Sequence, residues 1–70
     1  TSMERDVFNK RLKDLRLEVG LTQTELAKRI GATQRQVSFW ESGQIEPNIF
    51  WLIKLADFFD VQIDYLVGRI

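Results

Sequence analysis

Residues 22–43 read TQTELAKRIGATQRQVSFWESG, and this stretch decides the fold. It opens on Thr22, followed three residues later by a glutamate. This is the pattern of a capping box, in which the side chain at each end satisfies a backbone N–H at the other. Apolar residues then recur at helical spacing up to Gly31, a residue that tolerates the left-handed backbone of a helix end. With Thr33 as a second N-cap and Gly43 as a second terminator, the pattern predicts two short helices joined by a tight turn.

Helical spacing continues on both sides of this stretch, and no segment alternates with the period of a strand. Upstream, Asp6 is expected to cap a first helix that ends at Gly20. Its apolar stripe is Phe8, Leu12, Leu15 and Val19. Downstream, Asn48 is expected to cap a fourth helix, and a short fifth one ends at Gly68. The inward stripe of the fourth helix is expected to be Ile49, Leu52, Ile53, Ala56 and Phe59, with Leu55 at its edge. The chain is therefore predicted to be one all-α domain of five short helices.

The composition argues against catalysis and against a membrane protein. The 70 residues include no cysteine and no histidine, which excludes disulfides and thiolate metal sites and removes the usual general base. We therefore assign no catalytic residue, metal, cofactor or small-molecule ligand. The longest apolar run is residues 49–53, far short of the ~20 residues that a bilayer requires. With no signal-peptide pattern, the expected location is the cytoplasm. Thr1 and Ser2 precede Met3 and are interpreted as an expression scar.

Charge is balanced overall but unevenly distributed. The formal net charge is zero. Residues 1–35 carry eight basic and five acidic side chains, a sum of +3, whereas residues 36–70 carry two and five, a sum of −3. Such polarity can steer a polyanion onto one face, and it is equally typical of solvated helix surfaces.

The order and spacing of these motifs resemble the Cro/C1-type (XRE) helix-turn-helix family. The resemblance covers roughly residues 7–69. It is carried by GLTQTELA (20–27), Gly31, VSFWESG (37–43), RLKDLR (11–16), Pro47, LIKLA (52–56) and DYLVG (64–68). It implies a five-helix lambda-repressor-like DNA-binding domain over residues 3–70, with its helix-turn-helix at about 22–43. It also implies a transcriptional regulator of the repressor kind.

By this resemblance, residues 33–42 form the recognition helix and lie in the major groove. Gln34 has the chemistry to pair with adenine N6 and N7, and Arg35 with guanine O6 and N7, although both are also ordinary solvated first-turn residues. Gln23 matches a glutamine that holds a phosphate, and otherwise it simply opens its helix. Thr33 and Ser38 can offer hydroxyls to phosphate or bases, though a capping role would account for the first of them.

The resemblance also implies an ion pair between Arg16 and Glu41 that positions the recognition helix, and Trp40 is expected to be core. Arg16 could alternatively touch phosphate. Phe39 stands where a polar residue is commoner, so it either touches a thymine methyl or packs against another protein surface.

The loop after the recognition helix departs from the family pattern. It carries no lysine or arginine, and Glu46 would be repelled by phosphate. Gln44 and backbone N–H groups remain as DNA contacts, so the salt dependence of binding should be shallow. Phe50 and Trp51 also stand where relatives often have polar residues. At least one should be exposed and mark an interface, unless Trp51 folds back over the flank of the domain.

The sequence is compatible with two functions. The first is a regulator that binds double-stranded DNA sequence-specifically, as a homodimer on a palindromic operator with half-sites about 34 Å apart. The second is a protein-interaction module, such as an antitoxin or a docking domain with weak DNA affinity. The neutral charge, the acidic loop and the aromatic residues motivate this alternative.

Overall fold

A computed structural model describes residues 5–70, so Thr1, Ser2 and Met3 lie outside the described part of the chain. Over that range the protein is all-helical, with five helices and no strand. In chain order they are α1 (Arg5–Glu18), α2 (Gln23–Ile30), α3 (Gln34–Ser42), α4 (Ile49–Phe59) and α5 (Ile63–Leu66). The prediction of a five-helix all-α domain is confirmed. None of the helices in this part of the chain combines the length and the apolar character needed to cross a bilayer.

The start of each central helix is determined by its capping side chain. The Thr22 hydroxyl accepts from Glu25 N at 3.1 Å, while the Glu25 carboxylate accepts from Thr22 N at 2.8 Å, which closes the predicted capping box. Thr33 forms a second box with Gln36, which the sequence analysis missed although the spacing is the same. Asn48 caps α4 by accepting from the backbone N–H three residues on, as predicted.

One apolar core joins all five helices. It consists of Phe8, Leu12, Leu26, Ala27, Ile30, Val37, Trp40, Leu55, Ala56 and Leu66. Trp40 is buried here, which confirms its assignment to the core. Ala27, a small residue, is buried on α2, the helix that packs against α3.

Two predictions about α1 were wrong. Asp6 lies inside the first turn of the helix, since α1 already includes Arg5, so Asp6 is not the N-cap. A carboxylate there is still favoured by the helix dipole. Val19 is exposed because regular α-helix ends at Glu18, and the turn that follows carries Val19 away from the core.

The predicted inward stripe of α4 was wrong at Ile49 and Ile53, whereas Leu52, Ala56 and Phe59 do pack on the core. Ile49 and Ile53 are 62% and 44% exposed, whereas Leu55, expected at the edge, is fully buried. The helix is turned so that Trp51 lies over the core, its ring 5.5 Å from that of Trp40. Burying a large aromatic ring outweighs burying one isoleucine, so this tertiary contact sets the rotation of the helix.

Candidate nucleic-acid interface

The helices α2 and α3 are joined by residues 31–33. Gly31 takes a left-handed conformation with φ of 80°, and the chain closes the end of α2 when Ala32 N donates to Ala27 O at 2.9 Å. Val37 and Trp40 then anchor α3 by its buried side. Gln34 and Arg35, in the first turn of α3, remain exposed to solvent. This is the geometry of a helix-turn-helix with an accessible second helix.

A buried ion pair ties α1 to α3. Arg16 Nε donates to Glu41 Oε2 at 2.7 Å and Nη2 donates to Oε1 at 3.0 Å, while Nη1 donates to the Leu21 carbonyl at 2.8 Å. The two charged side chains keep only 9% and 5% of their surface exposed. The hydrogen bond to Glu41 raises the pKa of Arg16 above its usual value, so the guanidinium stays charged. The structure thus brings together the two residues that the resemblance paired.

Two glutamines extend this pair to the surface. Gln23 Nε2 donates to Glu41 Oε1 at 3.1 Å, and Gln34 Nε2 donates to Gln23 Oε1 at 2.8 Å. A continuous chain of hydrogen bonds therefore runs from Arg16, inside the domain, to the exposed first turn of α3. This chain of hydrogen bonds could not be predicted from the sequence, because its members lie 11 and 18 residues apart and no local pattern indicates such contacts.

The other predicted DNA contacts lie along α3 and just after it. Thr33 uses its hydroxyl for the cap, accepting from Gln36 N at 3.1 Å, and a contact of that hydroxyl with DNA stays a prediction. Ser38 and Phe39 are half-buried. Gln44 is exposed, and its backbone N–H donates to the Phe39 carbonyl at 3.0 Å.

Arg35 is exposed, and its guanidinium carbon lies 5.3 Å from the centre of the Phe39 ring. The two residues are four apart on α3, so their side chains are neighbours on the helix surface.

The aromatic residues at the start of α4 divide between core and surface. Trp51 is half-buried, with its ring between those of Trp40 at 5.5 Å and Phe50 at 5.0 Å. Phe50 is 55% exposed. Trp51 therefore folds back over the flank of the domain, and the exposed aromatic side chain is that of Phe50.

Lys54, which the sequence analysis did not single out, fastens α4 to the turn. Its ammonium donates to the Ile30 carbonyl at the end of α2, at 3.2 Å, where the helix dipole favours a cation. Within residues 5–70, no cluster of acidic side chains is suited to hold a metal ion.

A helix-turn-helix domain is the class that this fold and surface define. Residues 12–66 match the family described as Helix-turn-helix, of the Cro/C1 type. That segment is most of the chain, and the chain belongs to this family.

Three known proteins are similar to this chain over different shares of their length. The chain is 40% identical to the HTH-type transcriptional activator BcrR of Enterococcus faecalis over 61 residues, which cover 87% of this chain and 30% of that one. The P22 c2 repressor, solved in complex with a synthetic operator, superposes with a TM-score of 0.83 and 28% identity over 87% of this chain and 92% of that one. Hydroxypropylphosphonic acid epoxidase from S. wedmorenis gives a TM-score of 0.81 and 29% identity, over 96% of this chain and 36% of that one.

The similarity covers only part of the length of several of these proteins. The chain spans 30% and 49% of the length of the first two curated relatives, and the same fold forms about a third of an epoxidase. Because one fold can serve different activities, the function depends on the side chains at the surface of this domain.

Proposed function

We propose that the chain is a sequence-specific double-stranded DNA-binding domain of a transcriptional regulator, a repressor, that acts in the cytoplasm. No enzymatic activity is part of the proposal. The observation that carries it is the first turn of α3, where exposed polar side chains stand at the end of a buried hydrogen-bond chain. Such support is what a base-reading side chain needs, because an unsupported one loses conformational entropy on binding.

The hydrogen bond between Gln34 and Gln23 is compatible with adenine recognition. One of its two amide hydrogens goes to Gln23, which leaves the other hydrogen and the carbonyl oxygen for N7 and N6 of the base. Arg35, the next residue, carries the planar fork that fits O6 and N7 of guanine. Each bidentate contact would discriminate against a wrong base by about 1–3 kcal/mol.

Phosphate contacts are expected from backbone groups more than from charge. The capping box occupies the N–H of Glu25, whereas those of Gln23 and Thr24 have no acceptor within the helix, and the helix dipole makes this end attractive to an anion. Gln44, exposed just after α3, is a second candidate for a phosphate contact, in a loop that has no basic residue. Base contacts and assembly must therefore carry much of the affinity.

We further propose that a second copy of the chain binds the exposed face of α4, which consists of Ile49, Phe50 and Ile53. Helical geometry places these three within a sector of about 100°. Their exposed surface amounts to a few hundred Å², roughly the size at which an apolar patch marks an interaction site. With its rim, the face can approach the ~800 Å² per partner of a standard interface.

The chemistry of this face fits a copy of itself. A two-fold interface brings the same patch from each copy together, so it must be self-complementary, and a patch without charge at its centre meets that condition. Lys54 beside it is directed at the Ile30 carbonyl and at the Phe50 ring, 5.5 Å away. The domain measures 30 × 24 × 20 Å, so two neighbouring copies can present α3 to half-sites about 34 Å apart.

The dimer is tested by sedimentation equilibrium of Phe50→Ser against the matched control Leu17→Ser. Both parent side chains are 55% exposed, on different helices. We expect the first variant to remain monomeric at concentrations where the parent and the control associate. Equal association of all three would exclude this face.

Selection from a random duplex pool at low salt tests the DNA-binding proposal. The expected result is enrichment of one palindromic sequence with half-sites one helical turn apart. The exposed apolar face of α4 and the absence of basic residues from the loop at residues 43–48 favour the second candidate, an antitoxin-like or docking module for another protein. Failure to enrich any duplex, together with binding of a different protein at α4, would replace the first proposal with the second.

A further inference from the structure

Arg35 and Phe39 form a pair on the surface of α3. The guanidinium carbon lies 5.3 Å from the ring centre, within the range of a cation–π contact. Arg35 is exposed, and among the described residues no hydrogen bond or ion pair is recorded for its side chain. Phe39 is half-buried and does not belong to the core. The ring is therefore the main restraint on where the guanidinium points.

Recognition of a guanine requires one particular orientation of the guanidinium. To donate to O6 and N7 together, a guanidinium lies edge-on, in the plane of the base pair. Its two faces then point toward the base pairs above and below. A ring that covers one face must lie at the level of one of those neighbouring pairs.

The spacing along α3 agrees with that placement. Residues four apart are separated by about 6 Å along a helix axis, which exceeds the ~3.4 Å step between base pairs, so an α3 inclined to the duplex axis brings the two side chains to neighbouring pairs. At the neighbouring pair, the apolar group that the major groove offers is the methyl on C5 of a pyrimidine. Phe39 has no polar atom in its side chain, so this methyl is the group it can recognise.

Building on the DNA-binding function proposed above, we infer that Arg35 and Phe39 read two adjacent base pairs as one unit. Arg35 binds a guanine, and Phe39 both positions that guanidinium and contacts a 5-methylpyrimidine in the next pair. Thymine and 5-methylcytosine carry the same methyl in the same place, so either base fits the site.

The test begins with a duplex recovered from the random pool, in which the inference requires a guanine next to a thymine. Replacing that thymine by deoxyuridine deletes only the methyl. We expect about a fourfold loss of affinity for the parent protein, the value for one buried methyl group. Phe39→Ala should bind both duplexes equally. Placing cytosine there should weaken binding by the parent, and 5-methylcytosine should restore it.

The positioning role has a separate readout. Phe39→Leu keeps an apolar contact and removes the ring, so discrimination of guanine from adenine should fall about two- to fivefold. Phe39→Tyr should preserve it, and Phe39→Leu should have no such effect in an Arg35→Ala background. Thermal melting of each variant shows that it is folded.

Three results would overturn the inference while leaving DNA binding intact. The first is a selected sequence without a 5-methylpyrimidine beside a guanine. The second is an equal effect of deoxyuridine on the parent and on Phe39→Ala, and the third is undiminished guanine discrimination in Phe39→Leu. If no duplex is enriched at all, the proposed function and the inference fail together.

Discussion

Arg16 and Glu41 show at the level of single residues how the fold orients its surface. A buried ion pair contributes little net stability, because the cost of removing two charges from water offsets their attraction. Its geometry is nevertheless specific, with two parallel hydrogen bonds between guanidinium and carboxylate. The pair therefore serves to place α3 against α1, and it gives Gln23 a firm acceptor.

Breaking the pair on one side should cost far more than removing it. In Arg16→Met the Glu41 carboxylate stays buried with only Gln23 to bond it, so we expect the free energy of unfolding to fall by about 3 kcal/mol. In the double variant Arg16→Met/Glu41→Met most of that loss should be recovered. Urea denaturation measures both. A single variant as stable as the parent would contradict this interpretation.

Asp60 ends α4 with a left-handed backbone, at φ of 56°. Residues other than glycine pay about 1–2 kcal/mol for this conformation, and aspartate somewhat less. We expect Asp60→Gly to raise the free energy of unfolding by about 0.5–1 kcal/mol.

Gly20→Ala is the opposite change at a matched site. Its φ is 74° and an added Cβ would meet nothing within 4 Å, so the cost is conformational alone. This variant should lose about 1 kcal/mol. Thermal melting compares the two, and an Asp60→Gly protein that melts below the parent would refute the assignment of strain.

At the level of helices, the capping box of α2 makes part of the stability depend on pH. Hydrogen bonds from the Thr22 backbone and hydroxyl lower the pKa of Glu25 below its usual 4.5. A carboxyl group whose pKa is lower in the folded state than in the unfolded state stabilises the fold at pH values above its unfolded pKa. That contribution is lost as the pH falls through the lower, folded value.

The matched variant is Glu25→Gln, which keeps an acceptor for the Thr22 N–H and cannot titrate. We expect the parent to be the more stable of the two at neutral pH and to lose its advantage once the pH drops below 4.5. Urea denaturation of both proteins at pH values from neutral to below 4.5 provides the comparison. A stability difference that does not change with pH would show that the charge of Glu25 does not support the cap.

The same helices show which features of the fold can be predicted from the sequence and which cannot. Helix starts at Thr22, Thr33 and Asn48 could be predicted, because caps are local patterns of a few residues. The rotation of α4 could not, since it depends on Trp51 meeting Trp40 across the core. For the site, the sequence indicated which side chains line α3, whereas the bond from Gln34 to Gln23 depends on how α2 meets α3.

At the level of the whole molecule, a net charge of zero limits what electrostatics can supply. Few counterions would be released on binding, so affinity has to come from base contacts and from the pairing of two copies. The rings of Phe50, Trp51 and Trp40 connect the proposed dimer face to the buried side of α3. In the proposed dimer, assembly and DNA recognition would therefore depend on the same packed aromatic rings.

The central claim is that the first turn of α3 reads bases, and it is tested most directly by the affinity of Gln34→Ala and Arg35→Ala for the selected duplex. The matched control is Arg69→Ala, which removes one exposed charge beyond α5. We expect each α3 variant to bind the selected duplex about tenfold or more weakly, and a scrambled duplex as the parent does, while the control is unchanged. Unaltered affinity in both α3 variants, or an equal loss on both duplexes, would contradict the claim.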